Sequence, residues 1–330
     1  MIMHLTYHID FDTKIGMAYD LTNPIYNDEE AARKHFEAIR WPHGVTCPHC
    51  GTVGNAVEMQ GKSTRLGVYK CREKACRKPF TATVGTVYER SHIPLHKWLL
   101  ATHLICASKK GISAHQLFRM LGFGSYRTAW FMAHRIREAM KDIPGAPVGG
   151  NGGGVEMDET YFGPKNEIAK RTKKGKASHS SQRSVVALVE RKGKTRMFHV
   201  ERADKKTVLD IIRDHVKPET KLYTDESALY WQASAFIADH SVVKHTAGEY
   251  LRGTAHTNSV EGLFGVFKRG MKGTYQHCGE QHLHRYLSEF EFRYNNRDKL
   301  GCDDNARTEK LLKATEGKRL TYQQTGSRAA

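Results

Sequence analysis

Four of the seven cysteines fall into two close pairs, Cys47-Pro48-His49-Cys50 and Cys71-x4-Cys76, with 20 residues between the pairs. A four-coordinate zinc ion needs soft ligands in a tetrahedron, and two tight knuckles are how a small β structure supplies them. Disulfides suit a small exported domain instead, and the opening MIMHLTYHIDFDTK has no cleavable apolar core. The spacing therefore predicts a zinc ribbon over 45–90, closed by Cys47, Cys50, Cys71 and Cys76. Four thiolates leave no position for water, so this zinc is structural. Cys106, Cys278 and Cys302 stand apart and read as packing residues.

The rest of the chain divides by pattern around that ribbon. Residues 1–44 form an N-terminal helical segment, with NDEEAARKHFEAIR acidic at its start and stopped by Trp41-Pro42. Over 91–143 the apolar spacing turns helical. Within it, GISAHQLFRMLGFGSYRTAWFMAHRIRE reads as a helix-turn-helix, with Gly122-Phe123-Gly124 as the turn and Ser125 as a cap. Its second helix offers Arg127, His134, Arg135 and Arg137 on one side and Ala129, Trp130, Ala133 and Ile136 on the other. A cationic face of this kind is what enters a major groove, although an ordinary helical hairpin shows the same pattern. The run PGAPVGGNGGG, almost bare of side chains, marks a linker over 144–154.

Beyond the linker, 155–300 reads as three meandering strands, a helix, a strand, a helical ALYWQASAF, a strand and further helices. That order fits an α/β domain of the RNase H-like, retroviral integrase-like type. Residues 301–330 read as a C-terminal tail.

Charge narrows the partner. Lys and Arg number 52 against 35 Asp and Glu, a net +17, with a pI near 9.5. Such a surplus favours a polyanion, because each cation that meets a phosphate releases a condensed counterion. Mean hydropathy is −0.59 and no apolar run is long enough to span a bilayer, so a membrane partner is not expected. The expected location is the cytoplasm, on the nucleoid when DNA is bound. The basic loop 165–183, with Lys173 and Lys174, and Arg269, Arg285 and Arg293 further on are candidate phosphate contacts.

Three acids stand out by placement. Asp158 lies mid-strand in VEMDETYF, where a charge is costly unless it serves something. Asp225 ends the strand KLYTD, and Glu261 opens the helix HTNSVEGLFGVFKRGM. In an RNase H-like sheet the first and fourth strands are neighbours and the late helix crosses their ends. Asp158, Asp225 and Glu261 can then share two Mg²⁺ or Mn²⁺ ions, the hard cations that carboxylates hold. Lys268, two helical turns past Glu261, shares its face and suits a DNA phosphate. Asn258, one turn before Glu261, shares that face as well. Singly each acid also reads as a cap, a turn residue or a solvated charge.

With CPHC … CREKAC, MDETYFG, YTDES and NSVEGLFGVFKRG in view, the chain resembles the zinc-ribbon, DDE-type insertion-sequence transposases of bacteria, the ISXO-type group. The resemblance covers roughly residues 27–300. It implies that Asp158, Asp225 and Glu261 are the metal-binding triad, with Lys268 as the associated basic residue; Asn in the third place of some members keeps Asn258 open as an alternative to Glu261. It also implies double-stranded DNA, both element ends and target, as partner, with at least a dimer pairing the ends. The expected activity is metal-dependent DNA cleavage and strand transfer after recognition of terminal inverted repeats. A zinc-ribbon regulator that only binds DNA, and a nuclease that cuts without joining, are the rival readings.

Overall fold

The computed structural model describes residues 20–141, 147–150, 152–163, 182–243 and 256–321. Helix α1 (Glu29–Arg40) starts where the Asp28 carboxylate accepts the Ala31 N–H at 2.7 Å, with Glu29 and Glu30 in its first turn. A side-chain acceptor and negative charge there satisfy free N–H groups and oppose the helix dipole. The buried stripe of α1, Ala32 and Phe36, faces inward.

Three short antiparallel strands follow, β1 (Ala56–Glu58), β2 (Tyr69–Cys71) and β3 (Pro79–Phe80), in that spatial order. So small a sheet cannot bury a core alone. Trp41 meets both Tyr69 and Phe80 edge-on, with centroids 5.4 and 5.9 Å away. The ribbon shares one core with α1, α2 (Leu95–Ala107), α3 (Ala114–Met120) and α4 (Tyr126–Met140), centred on Phe36, Tyr88, Trp98, Ile105 and Ile136. Each such side chain contributes about 1.5–3 kcal/mol on burial. The stretch after 300, expected as a tail, carries helix α8 (Asp304–Lys313), whose Leu311 and Leu312 enter this same core.

The second half is a five-stranded mixed sheet of β4 (Val155–Phe162), β5 (Arg183–Glu190), β6 (Thr195–Val200), β7 (Lys221–Asp225) and β8 (Asp239–Val243). Its order is β6-β5-β4-β7-β8, antiparallel among the first three and parallel from β4 to β7 to β8. The first and fourth strands of this half are thus neighbours. The crossover between β6 and β7 is helix α5 (Lys205–His215), capped by Asp204. Strand side chains alternate between faces. Val155 and Met157 pack against α5, while Ala187 and Val189, across from Asp158 and Glu156, pack under α6 (Asn258–Gly270) and α7 (Leu283–Asn295).

Two segments differ from expectation. Residues 228–236 make two 3-10 turns, Ala228–Tyr230 and Ala233–Ala235, rather than one helix. The described part of the Gly-rich run lies closely against the sheet: at Gly154, with φ +78°, a Cβ would stand 2.4 Å from the Tyr223 ring. Glycine is required there by both conformation and space.

Candidate functional site

The ribbon brings its four cysteines to one point. Cys47 and Cys76 sulfurs are 3.8 Å apart, Cys50 and Cys71 sulfurs 3.7 Å, and all four lie within 4.8 Å of one another. A disulfide needs about 2.05 Å, whereas tetrahedral bonds of about 2.3 Å to zinc set sulfurs ~3.8 Å apart. The geometry and the soft donor set fit zinc. Gly51, at φ +77°, makes the sharp turn after the first pair.

The acids assemble differently. Glu156 pairs in parallel register with Tyr223, and Asp158 and Asp225 each lie two residues further along their strands. Burial, then the negative charges of Glu159, Asp225 and Glu261, push the Asp158 carboxyl up to about 8. These groups are therefore close enough to repel. They are not drawn onto one point, for among the described residues only the cysteines place three or more such donors within 4.8 Å. Glu261 lies in the first turn of α6, where its Oε1 accepts from the Thr257 hydroxyl at 2.9 Å. Asn258 is the first residue of α6 and is exposed, as are Lys268 and Arg269 near its far end. Glu159 alternates to the opposite face of β4. There the buried Tyr230 hydroxyl donates to its Oε2 at 2.5 Å.

Sequence reasoning missed what holds α6 in place. Glu156, fully buried two residues before Asp158, accepts the Ser259 and Val260 N–H groups at 2.7 and 3.2 Å and the Ser259 hydroxyl at 3.0 Å. Arg191 meets the same carboxylate at 2.8 Å and His256 at 3.1 Å. A carboxylate on free helix N–H groups is favourable on both hydrogen-bond and dipole grounds. It ties the turn that carries Glu261 to the strand that carries Asp158. The available signal was a second acid in the same strand phase as Asp158.

The expected cationic face of α4 is corrected by burial. Ala129, Ala133 and Ile136 are buried as read, but so are His134, Arg135 and Arg137. Arg137 donates to Glu289 at 2.6 Å, and Arg135 donates to the Glu89 carbonyl at 2.7 Å while its guanidinium lies 5.2 Å from the Trp98 ring centre. Arg293 is also buried and pairs with Glu289. These three side chains are held in the folded core. Arg285 is half-buried, 3.6 Å from Glu138. Of the α4 cations named, Arg127 is exposed, in the first turn. Lys173 and Lys174 lie outside the described residues.

Comparison with known proteins follows the same division. Residues 151–295 match the ISXO2-like transposase domain, and residues 27–79 match the transposase zinc-ribbon domain. A Halobacterium salinarum protein, known as an uncharacterized protein in transposable element ISH50, is 26% identical over 279 residues. That match covers 80% of this chain and 90% of the relative. No described helix is long and apolar enough to cross a membrane.

Proposed function

Since the chain belongs to the zinc-ribbon, DDE-type insertion-sequence transposases, we propose that it binds the terminal inverted repeats of its element and catalyses strand cleavage and strand transfer. What supports this reading is that Asp158, in the middle of β4, feels the charges of Asp225, at the end of the parallel strand β7, and of Glu261, in the first turn of α6. The strand order supports an RNase H-like catalytic domain over 155–300, behind the ribbon at 45–90 and the helical segment at 91–143.

Asp158, Asp225 and Glu261 would hold two divalent ions, Mg²⁺ or Mn²⁺, because an all-oxygen set suits hard cations. Bound there, such ions supply charge stabilisation to the attacking and leaving oxygens of an in-line phosphoryl transfer. Glu261 ranks above Asn258 as the third ligand, since Asp158 feels the Glu261 charge and a carboxylate is the harder donor. Lys268 would hold a neighbouring phosphate, and Glu156 fixes α6 so that Glu261 and Lys268 keep their places. Tyr230, buried with its hydroxyl on Glu159, orients that carboxylate and does not serve as a nucleophile.

The ribbon, with zinc on its four cysteines, acts as a rigid platform. The exposed first turn of α4 carries Tyr126 and Arg127, and base contacts are assigned to it because recognition helices contact bases from their N-terminal residues. Arg269 and Arg285 remain candidates for backbone contact. Pairing two element ends requires at least a dimer when DNA is bound.

A strand-transfer assay with Mg²⁺ or Mn²⁺ on labelled end DNA tests the reading. The expected products are a released 3′-OH strand and its joined form, while Asp158→Asn binds ends and yields neither. Cutting without joining would favour the nuclease reading, and binding alone the regulator.

A further inference from the structure

Strand β4 runs past Asp158 to Tyr161 and Phe162. Beyond its end a groove of about 760 Å³ opens between β4, the start of β5 and the far end of α6. Its lining includes Phe162, Arg183, Lys268, Lys272, Gln276 and His277, and no carboxylate lines it among the described residues. Cations, amides and aromatic rings thus supply most of this lining, with Gly163, Cys278 and Gly279 beside them.

The wall of this groove is built. Helix α6 continues into a π-helical turn, Met271–Tyr275, which ends at Gln276 with φ +55°. A non-glycine residue in the left-handed region is strained, and strain of this kind gathers at functional sites. Phe162 is held by Phe267, whose ring meets it at 66° with centroids 5.7 Å apart, and the Arg183 guanidinium lies 5.7 Å from the Phe162 ring centre.

We propose that this groove takes a short unpaired nucleic-acid strand, leading away from the phosphate that the acids address. The inference rests on the DNA-cleavage reading and adds the form of the substrate. The volume falls within the range of about 300–1,000 Å³ that takes a drug-sized molecule, enough for one or two nucleotides. Cations beside an aromatic side chain, as in this lining, are features by which proteins hold single strands, phosphates on the charges and bases on the rings. Duplex binding would need neither Phe162 nor a concave wall.

The test uses the full chain and three fluorescent probes: a blunt duplex and the same duplex with a short oligothymidine overhang at the 3′ or the 5′ end. Anisotropy should show one overhang bound about ten-fold tighter than the blunt probe, the order of gain expected from a stacked base. In Arg183→Ala/Lys272→Ala protein that preference should disappear, with blunt-duplex affinity and melting temperature kept. With 2-aminopurine in the overhang, binding should quench its fluorescence, and Phe162→Leu should relieve the quench. Equal affinity for all three wild-type probes, or a preference that survives the double substitution, overturns the proposal. Metal-dependent cleavage in the same preparations separates the two readings. Cutting without overhang preference refutes the groove alone, whereas overhang preference without cutting upholds the groove and refutes the cleavage reading.

Discussion

In the ribbon, four sulfurs from two knuckles already stand at the edge lengths of a zinc tetrahedron. In the sheet, burial and then the charges of carboxylates from two strands and a helix raise Asp158 to about 8, yet these groups do not meet at one point. The first site is closed by protein donors and supports a fold whose three strands span two or three residues each. The second is open, holds like charges together, and depends on the rest of the domain to keep them there. On the proposed function, loss of the first should break stability and loss of the second chemistry.

The largest effect should follow loss of zinc. Structural zinc is worth about 10–16 kcal/mol of apparent binding in small zinc-finger peptides. Chelation, or Cys71→Ser, should leave residues 45–80 open to protease and lower the melting temperature. Unchanged protease resistance there would remove the contrast. Asp158→Asn, by comparison, should keep or slightly raise the melting temperature while abolishing cleavage.

Next comes the buried network that joins α4 to α7. Glu289 is fully buried with Arg137 and Arg293, and Tyr275 donates to it. Breaking such a pair costs about 3–5 kcal/mol because a charge is left buried alone. Glu289→Ala should show this in urea unfolding. Burial alone would raise the Glu289 carboxyl, but Arg293 and Arg137 overcome it and hold the group at about 2. Its folded value lies below its unfolded one, so its stabilisation is complete above pH ~4.5 and is lost as pH falls toward ~2. Glu289→Gln should flatten the stability profile in that window, and a profile like that of wild type would count against the network.

The clamp on α6 is a middle case, a stabilising contact that serves the open site. Glu156→Gln should lower cleavage about 10–100-fold, the scale seen when groups that support metal ligands are changed, with end-binding kept. Wild-type cleavage would show that Glu261 does not depend on the clamp. The smallest effect expected is that of Tyr230→Phe, which removes one hydrogen bond to Glu159, about 1 kcal/mol of stability, measurable by thermal melting.

What was legible in the sequence follows the same contrast. The cysteine knuckles are local, so their spacing carried the site; strand patterning marked the strands, and the adjacency of the first and fourth was expected from the RNase H-like type. The buried arginines were not legible, because Arg137 finds Glu289 152 residues away and no neighbouring residue signals the pairing. On α4 the period that marks a polar face marks a second buried face just as well. Glu156 was hidden for a similar reason, its helix N–H partners lying 103 and 104 residues away. The docking of α8 depends on Leu311 and Leu312 meeting α1 and α2, which nothing in residues 301–330 announces.

Manganese titration followed by electron paramagnetic resonance, on full-length protein with its zinc retained, tests the central claim most directly. Wild type should bind Mn²⁺ at the carboxylate site, and Asp158→Asn should lose that binding while the zinc content stays the same. Mn²⁺ bound with equal affinity and stoichiometry by both proteins would contradict the account.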